Sequence, residues 1–192
     1  MREFRSIRDF VRYLETLQPK VEVAAQLGLH EGGRMIQEEA QHEIGHYQTA
    51  AGPFAAWAPL ADTTLNGYTD QHGHHHPGKI EMGFSPPDNP LLRTHELQEH
   101  IELSAQRNRV IVGVPDEVVG DGTPENPTRN IGLVAELMEF GDREMPARSF
   151  LGRAAFVKAE AAARAVGHAI YLAMIGKPHR PASAHYDRDI PF

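Results

Sequence analysis

The stretch EEAQHEIGHYQTA, Glu38–Ala50, decides how the N-terminal half of this chain is read. With its neighbours it forms the series Ile36, Ala40, Ile44, Tyr47 and Ala51, which steps by four, four, three and four. Side chains three or four apart share one face of a helix, so the spacing predicts an amphipathic helix over residues 32–51. Gly52-Pro53 ends it, because proline cannot extend the hydrogen-bond ladder. On this wheel His42 and His46 lie opposite Ile44, on the face turned to water.

The same stretch spells His42-Glu43-Ile44-Gly45-His46. Two histidines four apart on a helix hold one zinc ion while the glutamate polarises its water, which is the chemistry of a zinc-dependent peptidase or amidase. Such a centre needs ligands facing a cleft, a third ligand and outer partners that orient the rings. The face opposite the apolar stripe supplies none of these. Thr49 and Gly52 also stand where the extended signature has glycine and histidine. The expectation is a solvent-facing stretch of a structural helix, with the peptidase using His42, Glu43 and His46 as the alternative.

The remaining chemistry is sparse. The loop QHGHHHPGK brings His72, His74, His75 and His76 together as a polar loop that would chelate metal adventitiously. His168, among apolar residues, reads as a packing histidine. Trp57 and Phe54 read as core residues anchoring the end of the first long helix. Ser85 lacks the glycine frame of a nucleophile elbow, and neither a phosphate-binding glycine loop nor a calcium loop is present. No enzyme, metal or cofactor is expected.

Composition narrows the class further. The 192 residues suit one domain with an arm or tail, and 41% of them are hydrophobic. Cysteine is absent, which removes disulfides and thiolate chemistry. The N-terminal MREFRSIRDF lacks the apolar core of a signal peptide, and no apolar stretch is long enough to span a bilayer. A formal net charge of −7 argues against gripping nucleic-acid phosphates.

Along the chain, Phe4, Ile7, Val11, Leu14 and Leu17 predict a short helix from Arg2 to Leu17 that stops before Pro19. Residues 53–90 read as loops with one short hairpin. LLRTHELQEHIELSA offers Thr94 as an N-cap for a short helix that runs into a strand. RNRVIVGVP is the best strand, with Val110–Val114 expected in an antiparallel sheet. From Ser149, read as a cap, a helix runs to Ile175, with Arg153, Glu160 and Arg164 in one polar sector and apolar residues around most of its circumference. A helix so apolar packs on more than one side, and in a chain this small the second side is another subunit. The expected organisation is a helical arm over 1–30, an α+β core over 31–176 and an irregular tail over 177–192.

Four segments in order carry a resemblance: Trp57-Ala58-Pro59-Leu60 followed by Thr63 or Thr64, Pro90–Leu97, Val110-Ile111-Val112-Gly113, and Glu139–Gly152 with the sequence EFGDREMPARSFLG. The series resembles the tail-completion and head–tail joining proteins of tailed bacteriophages, a virion-morphogenesis group that includes minor tail components. It covers roughly residues 36–156. Its most specific part is MPARSFLG, Met145–Gly152. The chain departs from the pattern at His95, where glycine is common, at Ser149, where proline is common, and at Met138, where histidine often precedes Glu-Phe-Gly. The resemblance implies an α+β subunit, with long N-terminal and C-terminal helices packed on a small antiparallel sheet. It implies copies in a ring, commonly sixfold, in the neck or tail of a virion assembled in the host cytoplasm. Partners would be neighbouring neck, connector and tail-tube proteins, with DNA passing through without specific binding and no membrane involved. Within that reading, Arg93, Phe140, Met145, Pro146, Arg148 and Phe150 are the expected subunit or partner contacts.

Overall fold

The computed structural model describes residues 4–122 and 128–179. Helix α1 runs over Ile7–Glu43. A short α2 (Asp62–Asn66) leads into strands β1 (Tyr68–Thr69) and β2 (His75–His76). Next come α3 (Glu96–Glu99), β3 (Glu102–Gln106), β4 (Arg109–Gly113), β5 (Val118–Val119) and β6 (Arg129–Asn130). Helices α4 (Ile131–Phe140) and α5 (Leu151–Met174) complete the series. The class is α+β, with long N-terminal and C-terminal helices. Among the described residues the sheets are three separate two-stranded pairs, β1–β2, β3–β4 and β5–β6. The strand expected at 110–114 is β4.

Two helix boundaries differ from the sequence reading. The arm does not stop at Leu17: α1 passes through Pro19 without a break. Proline there removes one ladder hydrogen bond, and the freed carbonyl belongs to Glu15, whose turn is exposed to water. The boundary drawn at residue 30 therefore falls inside one continuous helix. At the other end α1 stops at Glu43, eight residues before the expected Ala51. Gly45 adopts φ +90, and its N–H donates to the Pro90 carbonyl at 2.8 Å. This conformation is open to glycine at little cost and closes the helix. Ile44 stays in the core as the first residue past the helix.

The chain divides into two compact units. The first comprises residues 1–35, 104–111 and 159–192. Within it α1 and α5 run antiparallel at close range. A Cβ added at Gly28 would come within 2.6 Å of Val166 Cα, and one at Gly32 within 3.0 Å of the Ala162 Cβ. The two glycines, four apart, face a strip of Ala162, Ala165 and Ala169, so small residues on both helices set the approach. The Tyr13 hydroxyl donates to the Met174 carbonyl at 3.1 Å. Glu31 pairs with His179 at 2.9 Å. Residues 180–192, most of the expected tail, lie outside the described residues.

The second unit comprises residues 36–103 and 112–158 and holds the hydrophobic core. Ala40 and Ile44 meet Trp57, Leu97, Ile101, Ile131, Ala135, Phe150 and Ala154. Helix α4, ambiguous in its apolar periodicity, is capped by the Asn130 side chain, which accepts from the Leu133 N–H at 3.1 Å. Its buried face is Ile131 and Ala135.

Candidate functional site

The corner between α4 and α5 is built by its own polar groups. Gly141 leaves α4 with φ +69, and a Cβ there would lie 2.6 Å from both the Met145 carbonyl oxygen and the Ala147 nitrogen. Only glycine fits so tight a return. The Asp142 carboxylate then accepts from the N–H groups of Glu144 and Met145 at 2.8 and 2.7 Å, which fixes the turn. The Arg148 N–H donates back to the Met138 carbonyl at 2.8 Å.

Glu139 is the keystone. Its carboxylate accepts from the N–H groups of Phe150, Leu151 and Gly152 at 2.8, 2.9 and 2.9 Å, and from the Ser149 hydroxyl. The cap of α5 is therefore a glutamate from the preceding helix, and Ser149 supports that glutamate instead of capping the helix itself. A carboxylate satisfies several orphan N–H groups at once and complements the positive end of the helix dipole.

Arg148 is buried, and its Nη2 donates to the carbonyls of Ala58 and Pro59 at 3.1 and 3.2 Å. Burial pulls its pKa below the usual guanidinium value. Trp57 closes the same joint by donating from Nε1 to the Ser149 carbonyl at 3.3 Å. Phe150 is wholly interior, so it serves the core of its own subunit and offers nothing to a neighbour. Met145 is half-buried and Pro146 exposed. Phe140, at 75% exposure, points away from the core. Arg93 is exposed, with Nη2 3.8 Å from the Met82 sulfur. Arg93, Met145, Pro146 and Arg148 line one cavity of about 760 Å³, together with Thr63 and Thr64. Lys79 also lines it, donating from Nζ to the Asn89 carbonyl at 2.5 Å, and burial lowers its pKa.

Thr94 does not cap α3. That position falls to His95, at φ +61, while the Thr94 hydroxyl donates to Glu96 at 2.8 Å. The Arg129 guanidinium bonds both Thr94 and Glu96.

The zinc-like pentapeptide separates into two environments. The His42 and His46 rings stack at 5.4 Å and are exposed, with His46 Nδ1 3.1 Å from the His42 carbonyl oxygen. Glu43 is the exception to the solvent face, being fully buried. Arg153 donates to it from Nη1 at 2.5 Å and to the Thr49 carbonyl from Nε at 3.1 Å. A carboxyl group fully buried against Arg153 is not placed to polarise a water between the two exposed rings. Arg153 likewise leaves the polar sector assigned to it, and Lys158 pairs with Glu39 at 3.0 Å.

The histidine loop is organised by Asp70, whose carboxylate accepts from the N–H groups of His72 and His74 at 2.8 and 2.9 Å. The His74 N–H is the largest cause of a pKa held below the usual carboxylate range. His75 pairs with Glu81 at 2.7 Å. Among the described residues, no three His, Asp or Glu side chains are grouped to hold a metal ion. His168 is exposed and meets His179 edge to face at 6.3 Å, so it is not a core histidine. Among the described residues no helix is long and apolar enough to cross a membrane.

The sequence reading missed the burial of Glu43 and the roles of Glu139 and Lys79. For Glu43 a signal exists. It lies seven residues after Ile36 and three after Ala40, which puts it on the stripe they define. No family model, curated protein or solved structure matches the chain.

Proposed function

We propose that the chain is a structural virion protein of a tailed phage, which completes the tail end and joins tail to head as a ring in the neck. The observation that carries this reading is the interlocking of two of the four segments behind the resemblance, Trp57–Leu60 and Glu139–Gly152. Arg148 of MPARSFLG is bonded to Ala58 and Pro59 of the Trp-Ala-Pro-Leu segment, and Trp57 is bonded back to Ser149. Glu139 of Glu-Phe-Gly caps the helix that MPARSFLG opens, and Gly141 fits where a side chain would not. Residues that build one joint form a more specific signature than the same letters scattered through a sequence.

Two further features support it. His95, where the pattern commonly has glycine, sits at φ +61, a conformation glycine takes without strain. The negative balance of the chain suits a conduit that lets DNA pass without capturing it.

The test is removal of the protein from the phage that carries it, with the particles examined by electron microscopy. The expected result is DNA-filled heads and separate tails, rejoined when the protein is added back. Normal infectious particles without it would overturn the proposal.

A further inference from the structure

Among the described residues several helix faces carry exposed apolar side chains, and two of these faces match. On α1, Ile7, Val11 and Leu14 recur at four and three residues, with Phe10 beside them, and all four are exposed, Ile7 at 83%. Along the flank of this stripe stand Arg8 and Arg12, with Arg5 just before the helix. From Phe4 to Glu15 three arginines oppose two carboxylates, Asp9, which is engaged by the Ser6 hydroxyl at 2.8 Å, and Glu15. On α4, Leu133, Leu137 and Phe140 recur at four and three residues and are exposed at 57%, 45% and 75%. The only charged side chains of α4 are Glu136, exposed on that face, and Glu139, used as the α5 cap.

We infer that the N-terminal stretch of α1 in one copy packs on the outward face of α4 in the next copy. Each stripe is two turns long, about 10 Å, so their lengths agree. An apolar stripe with a basic flank fits an apolar stripe with an acidic one, and the charges select this pairing over α1 on α1 or α4 on α4. The contact uses different surfaces on the two copies. Such a heterologous contact closes into a ring when the rotation between copies allows it. This deepens the proposed function, and rests on it only for the ring's setting in a virion. Exposed Phe140 thereby gains a role that the interior of the subunit does not give it.

The test uses the full chain and measures its mass in solution by light scattering and native mass spectrometry, at low and high salt. The wild type is expected to associate, more strongly at low salt. Val11→Asp and Leu137→Asp alter exposed positions, so each should keep the native circular dichroism spectrum and behave as a single chain. Mixed together, they should form a one-to-one dimer and nothing larger, since the first retains an intact α4 face and the second an intact α1 face. Arg8→Glu with Arg12→Glu should dissociate the assembly, and Glu136→Arg on the mixing partner should restore the pair. The inference is overturned if the wild type is a single chain at every salt concentration. It is equally overturned if the variants associate like the wild type, or if the mixture fails to pair, which would assign the faces to another occupant. None of these results bears on whether particles form without the protein, so failure here is distinct from failure of the assembly reading.

Discussion

Glu43 allows the packing of the second unit to be tested through pH. Burial pushes its carboxyl up from the usual 4.5 to about 7. The hydrogen bond and charge of Arg153 pull the other way, while Glu39 and Glu139 add to the rise. With the folded pKa above the unfolded one, the native chain keeps a proton that the unfolded chain releases as pH climbs from about 4.5 to about 7. The stability from this group is therefore full below pH 4.5, is lost as pH rises through about 7, and changes no further above that. About 2.5 units at about 1.4 kcal/mol each puts the loss on the order of 3 kcal/mol. Urea unfolding of the wild type and of Glu43→Gln, in steps from about pH 4.5 to about 8.5, isolates this group from everything the two proteins have in common. The difference between the two curves should fall across that window and then level. Arg153→Met removes both downward pulls, so its decline should continue to higher pH. Parallel curves for the wild type and Glu43→Gln would refute the burial argument.

Arg148→Glu places a carboxylate against the carbonyls of Ala58 and Pro59 in a buried site, so it should cost about 3–5 kcal/mol. The loss should appear as unfolding of the isolated subunit in a thermal melt, before any question of assembly arises; Arg148→Lys should cost less, because a positive charge is retained. Glu139→Ala strips the acceptor from three N–H groups at the start of α5 and should cost about 2–3 kcal/mol, lowering the melting temperature by roughly 4–12 °C. A melt unchanged from the wild type would show that another group caps the helix.

Periodicity made the long helices legible because it is local, and α5 begins within two residues of its expected start. Its limits show at Gly45 and Pro19. Ile44, Tyr47 and Ala51 continue the four-and-three rhythm of α1, but the rhythm does not register that Gly45 takes a positive φ and bonds Pro90. Conversely, proline reads as a stop wherever it stands, whereas packing of α1 against α5 on both sides of an exposed turn holds the helix through Pro19. Arg153 failed for a related reason. It shares a wheel sector with Glu160 and Arg164, but a wheel has no axial coordinate, and only the first of the three lies where the core closes over it. The Glu139 cap spans 11 residues to Phe150 and depends on how α4 meets α5, so no local pattern announces it.

The corner motif divides into residues with an internal task and residues without one, and this division bears on function. Glu139, Gly141, Arg148, Phe150 and Gly152 are each accounted for by the cap, the tight return, the two carbonyls, the core or the contact of Gly152 with Phe54. These residues serve the joint itself, so their roles lie inside the chain. Phe140 and Pro146 have no such task, for the first is 75% exposed and the second lies on the surface. An exposed phenylalanine between a half-buried glutamate cap and an obligatory glycine is held at a fixed position by both neighbours. That placement suits a side chain destined for burial against something outside the subunit. The proposed assembly function should therefore be separable from stability. Phe140→Ser should leave the melting temperature within about 2 °C of the wild type, since an exposed substitution costs within about 0.5 kcal/mol. The same variant should fail to join heads to tails. Loss of stability without loss of joining would place Phe140 in the fold and remove it from the interface.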